Sequence, residues 1–598
     1  MMHGLSKRLR AFGSDRGGNV VILSALALPV MVGMVALSVE YGSGLMKRVE
    51  NQRIADLAAF AGATAYNAKA TEAAMLAAAQ NVGLLNGVDA SDLKVELINS
   101  PRTADTKAVK VDVTTQQNLY LARVIGDFDQ LTVAAAATAE LPVEPAAGCI
   151  LAFSGSGTGV TMIGGTSMRA DDCVISSNAT VTVPCGTSII TDKGVTYNST
   201  AAPSQPCGGI KSRNGPTTSI TKARTPDPLA GNTAVADAVA RLGQVAAIST
   251  ASAQSIPNMA PIDFGYNPVE TKARAADAGC SATSVDGKWR VTCPASGTSR
   301  TTFNFGAVTM GGGITVEIDG PSNATYNFSG PIVVNGTSLT ISAGTFNIKG
   351  GISVGGGASL TLGSGTSNSY RIWPASNGRA IDHGGASLTM ADAIGPSSVF
   401  QIFGDVLSGG GGCFTLPAAR QHDIKGSIRP NGGLILGAGT YTISDHFAAA
   451  SGGRVTCNGV SVAVAGTDVS LVIGGSKPAT EYVCGNSVFC LAGGFSGVRL
   501  SAPKSGAMAK LLFIGPQNTS NTYGATFAGG GSAVMSGVFY FPNGPIKMDG
   551  GAEATGDVAS TTDCLQFIGS QITLSGGVTT ASNCISASSA AKAVSLVQ

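Results

Sequence analysis

Residues 314–362 contain seven short segments in which apolar and polar residues alternate, and successive segments start about seven residues apart. Such alternation predicts β-strands with one buried face. The pattern G-x-S-L-T begins at Gly336, Gly357 and Gly385, so it returns after 21 and then 28 residues. Because three strands fill the first interval, the repeat favours a parallel β-helix, a solenoid with three strands per turn. A β-sandwich of hairpins is the alternative.

Composition supports a mainly β chain with many tight turns. Glycine accounts for 81 of 598 residues and charged residues for 12%, against about 7% and about 25% in typical proteins. A hydrophobic content of 44% excludes the class of intrinsically disordered proteins. The net charge of +2 gives no basic field, so we expect no nucleic-acid partner.

The amino terminus predicts a membrane anchor. Residues 20–39 are uncharged and apolar, long enough as a helix to cross a hydrocarbon core of about 30 Å. The preceding residues 1–19 form a basic tail that carries Lys7, Arg8, Arg10 and Arg16. Because the positive flank of a span stays in the cytoplasm, the tail is expected there and the rest of the chain outside. A cleaved signal peptide is the alternative, but its apolar region is normally shorter and is followed by a cleavage site of small residues.

Residues 40–145 predict a helix followed by a small α/β unit. The alanine-rich stretch from residue 41 to about residue 85 lacks proline and continues the helix, with Gly83 and Gly87 at its end. The elements expected after it are strands at 93–97 and 109–113, a short helix between Asn118 and Gly126, and a strand at 131–141.

The rest of the chain divides into three parts that differ in composition and in strand pattern. Residues 146–199 start a β-rich ectodomain, and residues 276–598 form its β-helix-like main part, with a polar tail of small residues after Cys584. Between them, residues 200–275 are rich in proline, serine and threonine and contain one helical patch, TAVADAVARLGQVAA. This segment is either a linker or an excursion from the coil.

Cysteine usage predicts disulfides in an oxidising compartment. The number is even, and no pair has the C-x2-C spacing of a zinc site. Pairing between sequence neighbours is the simplest arrangement, although spacing alone leaves the connectivity open. The disulfide candidates are Cys149, Cys173, Cys185, Cys207, Cys280, Cys293, Cys413, Cys457, Cys484, Cys490, Cys564 and Cys584.

Three histidines have an adjacent aspartate, a pairing that can bind metal or transfer protons. They are Asp382-His383, His422-Asp423 and Asp445-His446. Adjacent residues on a strand point to opposite faces, so we interpret the pairs as surface turns. The sequence also lacks a phosphate loop. We therefore predict no catalytic, cofactor-binding or metal site and no enzyme activity.

Glu40 follows the apolar run directly. An acid at this position could pair with a partner helix. Alternatively it marks the end of the span, with Tyr41 as an aromatic anchor, and this second interpretation is favoured.

Residues 16–66 resemble the amino-terminal module of Tad (tight adherence) pilus-assembly proteins of the TadE/TadG-like group. The matching residues are Arg16-Gly17-Gly18-Asn19, Pro29, Glu40-Tyr41-Gly42, Gln52, Ala55, Asp56, Ala58, Ala59 and Gly62. The cysteine-led, glycine-rich pieces that begin at Cys149 and Cys564 are similar to the ends of large TadG-type ectodomains. Because Glu40-Tyr41 follows the apolar helix, processing by a prepilin peptidase is not expected. A von Willebrand A metal motif, D-x-S-x-S, is also missing from the sequence.

The resemblance implies a role in Flp pilus assembly and surface adherence, with no reaction and no cofactor. It places a single-pass protein in a bacterial inner membrane, with the amino terminus cytoplasmic and the ectodomain periplasmic or surface-facing. The implied partners are the inner membrane, other Tad/Flp pilus-assembly proteins and surface polysaccharide. Two alternatives stay open: a β-helix enzyme that acts on polysaccharide, whose carboxylates would converge in a groove, and a surface adhesin without an assembly role.

Overall fold

In the computed structural model the chain forms two compact units, one of Met1–Glu144 with Ser589–Gln598 and one of Pro145–Ser588. Residues 1–16 of the basic tail, with the four cations named above, lie outside the residues that the structure describes. Those residues are 17–69, 71–102, 107–122, 129–141, 148–170, 172–215, 218–249, 255–265, 267–449, 452–492, 495–528, 532–549, 553–555, 564–575, 578–582, 584–585 and 594–597.

In the described part of the first unit, two helices pack on an antiparallel sheet. Its elements are α1 (Gly17–Lys69), α2 (Glu72–Leu85), a 3₁₀ turn (Ala90–Asp92), β1 (Leu93–Asn99), β2 (Lys107–Asn118), β3 (Gln130–Glu140) and a carboxy-terminal strand (Ser595–Val597). The sheet order is β1, β2, β3 and the carboxy-terminal strand, so the three strands predicted in this region are present.

Four details of the first unit differ from the sequence expectations. The helix expected to reach residue 85 ends at Lys69, because Thr71 adopts an extended conformation and caps α2 by accepting a hydrogen bond from Ala74 N at 3.4 Å. Gly83 lies inside α2, where Leu93 would clash with any Cβ. Residues 119–122 are not α-helical, and the rest of the short helix expected there lies outside the described residues.

The fourth difference concerns the end of the chain. The stretch after Cys584, expected as a polar tail of the ectodomain, contains the carboxy-terminal strand of the first unit. Thr138 pairs with Val597 and Glu140 with Ser595, antiparallel. Residues 589–598 therefore belong to the first unit and not to the 276–598 ectodomain.

In the part of it that the structure describes, the second unit is mainly β, with short strands, two helices and a 3₁₀ turn at Tyr482–Cys484. The helices are α3 (Thr233–Ala247), which coincides with the predicted helical patch, and α4 (Pro268–Asp277). The strands are β4 (Gly148–Ala152), β5 (Thr158–Ile163), β6 (Ser167–Arg169), β7 (Val174–Ser177), β8 (Thr180–Thr182), β9 (Ser188–Ile190), β10 (Val195–Tyr197), β11 (Ile210–Lys211), β12 (Ile220–Lys222), β13 (Ile262–Phe264), β14 (Ser281–Val285), β15 (Lys288–Thr292), β16 (Thr302–Phe305), β17 (Val308–Met310), β18 (Thr315–Asp319), β19 (Ala324–Phe328), β20 (Ile332–Asn335), β21 (Ser338–Ile341), β22 (Gly344–Ile348), β23 (Ile352–Gly355), β24 (Ser359–Leu362), β25 (Ser369–Ile372), β26 (Arg379–His383), β27 (Ser387–Met390), β28 (Phe400–Ile402), β29 (Asp405–Ser408), β30 (Cys413–Thr415), β31 (Gln421–Ile424), β32 (Ile428–Pro430), β33 (Leu434–Leu436), β34 (Gly439–Ile443), β35 (Phe447–Ala449), β36 (Val455–Cys457), β37 (Val460–Val462), β38 (Val464–Gly466), β39 (Val469–Ile473), β40 (Phe489–Leu491), β41 (Ser496–Ser501), β42 (Leu511–Ile514), β43 (Ala525–Phe527), β44 (Ser532–Phe541), β45 (Ile546–Met548), β46 (Glu553–Thr555), β47 (Leu565–Gly569), β48 (Ile572–Ser575) and β49 (Val578–Thr580).

Most of these strands pair in parallel with the third strand after them. The G-x-S-L-T segments enter β21, β24 and β27, where Leu339 lies opposite Leu360 and Leu360 lies opposite Leu388. Two further series of the same kind run through β19, β22 and β25 and through β20, β23 and β26. The repeated sequence segments therefore form equivalent strands that pair with one another in register.

Residues 148–222 continue the stack beyond its carboxy-terminal strands. In β4, Ile150 pairs in parallel with Phe567 of β47 and with Ile175 of β7. The segment 200–275 is not a plain linker, because β11 and β12 extend the same sheets and α3 packs Val235 against the core that contains Val472.

A continuous row of rings fills the core of one sheet. Phe346 is fully buried and stacks between Tyr326 and Tyr370, with ring centroids 5.4 and 5.2 Å away. Phe400 and then His422 continue the row. Period-two alternation places these side chains on the buried face of the sheet, where ring contacts add to apolar burial.

Candidate functional site

The first part of α1 presents an apolar surface along residues 20–41. The side chains of Val21 and Leu37 are 68% and 64% exposed. Within the described residues, this is the one helix whose length and mean hydropathy, 2.6, would let it cross a membrane. In an aqueous monomer such a surface is unfavourable, so the helix could serve as a membrane anchor.

The second part of α1 packs on the sheet of the first unit. Its buried face consists of Ile54, Ala55, Ala58, Ala59 and Ala63, which form one core with Val109, Val111 and Val113 of β2. Small side chains let the helix approach the sheet closely. At Gly62 an added Cβ would lie 3.3 Å from Val109 Cγ1, so even an alanine there would require its neighbours to shift by a few tenths of an ångström.

Two adjacent amides join α1 to the sheet. Asn51 is fully buried, and its Nδ2 donates to Thr115 Oγ1 and to the Val133 carbonyl, each at 2.9 Å. Gln52 Nε2 donates to the Ala136 carbonyl at 3.0 Å. These bonds fix the register of the helix against β2 and β3, because a rotation or shift of α1 would bury polar groups without partners.

Glu40 accepts hydrogen bonds from the polypeptide backbone. It is 9% exposed, and its carboxylate accepts the amide protons of Leu121 and Ala122, the latter at 2.9 Å. The interpretation of Glu40 as an interfacial charge that only marks the end of the span is therefore incomplete. The carboxylate holds the segment after β2 against the helix.

Residues 18–65 match the family model for putative Flp pilus-assembly TadE/G-like proteins. This Tad-like segment covers the exposed apolar part of α1, Glu40, and the face that packs on the sheet. No curated protein and no solved structure matches the chain. The match supports a role in pilus assembly.

The histidines are buried, so their interpretation as surface turns is wrong. His383, His422 and His446 are 1%, 0% and 9% exposed. His422 stacks on Tyr441 with ring centroids 3.8 Å apart, and its Nε2 lies 2.8 Å from the Pro417 carbonyl. Burial lowers the pKa of His383 and of His422 to about 4. The rings of His383 and His422 therefore act as neutral core side chains at neutral pH.

The adjacent aspartates form separate ion pairs. Asp382 binds Arg379 at 2.7 Å, Asp423 binds Arg241 Nε at 3.0 Å, and Asp445 lies 3.9 Å from Lys477. No hydrogen bond, ion pair or ring contact between described residues joins one His-Asp pair to another. The part of the chain that the structure describes also contains no group of three or more His, Cys, Asp or Glu that could hold a metal.

All twelve cysteines form disulfides between sequence neighbours. The bonds are Cys149–Cys173, Cys185–Cys207, Cys280–Cys293, Cys413–Cys457, Cys484–Cys490 and Cys564–Cys584. Cys149 of the first bond lies in β4, and Cys564 of the last bond directly precedes β47, the strand that pairs with β4. These two bonds brace the place where residues 148–152 enter the stack.

Sequence reasoning missed Asn51, although a signal was present. Asn51 lies four residues before Ala55 and seven before Ala58, on the face that helical periodicity predicts to be buried. A polar residue on such a face needs a partner. The contact between Glu40 and the Leu121 amide had no comparable signal, because it joins positions 81 residues apart.

Proposed function

We propose that this chain is a membrane-anchored TadG-like protein that takes part in Flp/Tad pilus assembly and surface adherence. The observation that carries the proposal is the Tad-like match at residues 18–65 on a helix with two different halves. The exposed apolar half would sit in a bacterial inner membrane, with residues 1–19 in the cytoplasm. The other half and its sheet would position other Tad/Flp proteins.

The proposed ectodomain is a parallel β-helix of the glycine-rich TadG type that acts as a scaffold or adhesive surface. Parallel pairing with every third strand and the in-register G-x-S-L-T segments support the solenoid. The disulfides support a periplasmic or surface location, since such bonds persist in oxidising compartments.

The proposed mechanism is binding and positioning, without catalysis. In support, each aspartate of the three candidate pairs already neutralises a cation, and burial keeps His383 and His422 uncharged at neutral pH. A general acid–base pair would instead need its two groups within hydrogen-bond reach of one substrate proton.

The test is deletion of the gene in a piliated host, with surface Flp pili counted by electron microscopy. We expect pili to be lost and to return when the intact chain is supplied. A second complement, Asn51→Asp, should fail although the protein is present in the membrane. The matched control is Glu50→Gln, which changes an exposed acid and should restore pili. Normal pilus numbers in the deletion strain would contradict the assembly role.

A further inference from the structure

A cleft of about 750 Å³ lies on the second unit, among turns that follow five successive strands of one sheet. The strands are β42, β44, β47, β4 and β7. Backbone bonds continue the ladder through the turns, from Phe153 N to Gly569 O and from Ser570 N to Gly544 O. Because neighbouring strands are about 4.8 Å apart, the five turns span about 19 Å. This length suits an extended polymer.

One wall of the cleft is held in place at both ends. Thr225 is fixed by Asn178, whose side chain accepts from the Thr225 amide at 2.8 Å and donates to its carbonyl at 3.0 Å. Two residues later, Asp227 accepts a hydrogen bond from Tyr540 OH at 2.7 Å and another from Leu229 N. The wall is therefore preformed, which lowers the entropy lost on binding.

The lining is polar, with apolar surfaces between the polar groups. Asn543 donates through Nδ2 to the Gln517 carbonyl, and no described residue donates to its Oδ1. Phe153 and Pro542 are partly exposed and offer flat apolar surfaces. Arg224 is exposed, and among the described residues it has neither an ion pair nor a hydrogen bond. Its guanidinium is therefore available for a bidentate contact with a carboxylate.

We propose that this cleft binds a glycan chain that carries carboxylate groups, such as a polymer of uronic acids. Amide groups and hydroxyls would bond the sugar hydroxyls, the apolar surfaces would pack on sugar C–H faces, and Arg224 would bind a carboxylate. An extended peptide is a poorer fit, because β-augmentation needs a free strand edge and β44, β47 and β4 each pair on both sides.

The test is isothermal titration of the full-length chain in detergent micelles with an oligomer of galacturonic acid and, separately, with neutral dextran. We expect the uronate to bind, and to bind about tenfold more weakly to Arg224→Gln and to Asn543→Ala. Added salt should weaken binding to the wild-type chain. The matched control is Arg499→Gln, which changes an exposed arginine in a different depression and should keep full affinity.

Three results would each overturn the inference: no uronate binding, equal affinity for dextran, or wild-type affinity in Arg224→Gln. The inference deepens the adhesive part of the proposed function and rests on it for its biological meaning. In cells, Arg224→Gln should restore pilus number to the deletion strain but not retention on a uronate-coated surface. Pili that are lost on deletion while uronate fails to bind would leave the assembly role intact and remove only the glycan site.

Discussion

Replacement of Asn51 by alanine should loosen α1 from its sheet. The substitution removes two buried hydrogen bonds and leaves the Val133 carbonyl and Thr115 Oγ1 without their donor. Both acceptor residues are less than 9% exposed, so water does not replace the amide readily. Buried groups that lose a partner cost about 1–3 kcal/mol, and two acceptors together place the expected loss at about 2–3 kcal/mol.

At neutral pH, Asn51→Asp should destabilise the packing of α1 on its sheet more than Asn51→Ala does, and the size of this loss should depend on pH. The aspartate keeps the size of asparagine but presents a charge to two acceptors, which costs about 3–5 kcal/mol. Burial without a cation raises the pKa of the introduced carboxyl above its usual value of about 3.9. A raised folded-state pKa means that stability is retained below about pH 3.9 and lost as pH rises through the raised value. At acidic pH the stabilities of the Asn51→Asp and Asn51→Ala variants should therefore become more similar.

The assay is hydrogen exchange followed by mass spectrometry on the full-length chain in micelles, with variants compared at equal pH. A loss of about 2–3 kcal/mol accelerates exchange about 30- to 150-fold, and we expect this in peptides from α1, β2 and β3. The matched control, Glu50→Ala, should change exchange less than about threefold because the side chain is on the surface. Wild-type exchange in Asn51→Ala, or no pH dependence in Asn51→Asp, would refute the reasoning.

Three further predictions concern the second unit, where both tryptophans report unfolding by fluorescence. Since the pKa of His422 is about 4 in the fold and about 6.5 when unfolded, its contribution to stability is full above pH 6.5 and falls by about 3 kcal/mol towards pH 4. In urea titrations His422→Phe should remove this part of the pH slope and leave the similar part that comes from His383. Phe346→Ala should cost about 3–5 kcal/mol and lower the urea midpoint, whereas the exposed Thr340→Ala should not. Replacing both Cys149 and Cys173 by serine removes a disulfide that joins residues with a sequence separation of 24. The free energy of unfolding should fall by about 3 kcal/mol, measured by the same urea titration.

Local periodicity explains why much of the second unit could be predicted. Leu339, Leu360 and Leu388 occupy equivalent places in a repeated motif, and the structure puts them opposite one another. The burial of His422 is not evident from its neighbours in the sequence, because Asp423 beside it is charged and is nevertheless buried as well. The place of His422 next to Phe400 in the row of rings depends on a pairing between strands that lie 21 residues apart or more.

Long-range pairings could not be predicted because nothing in a local pattern identifies the partner. The strand β4 has the same apolar texture as any other strand, yet it pairs with a strand more than 400 residues later. The cleft that contains Arg224 depends on the pairing of β4 with β47, because its lining residues come from turns that follow strands on both sides of this pair. The amino-terminal helix was easier, because composition alone reveals an uncharged run of 20 residues.

In the second unit the early strand β4 pairs with the late strand β47. The connectivity of the first unit gives a physical reason for this strand order. Strand β3 ends at Glu140 and pairs with the carboxy-terminal strand, which begins at Ser595. Residues 145–588 are therefore inserted between two neighbouring strands of one sheet. An inserted unit is tolerated when its two ends lie close together. A stack entered at one end and left at the other would separate them by the length of the stack. Because the chain enters the second unit at β4, which pairs with β47, the two ends of that unit lie close together. The strands of residues 148–222 then extend the stack beyond the strand at which the chain leaves it.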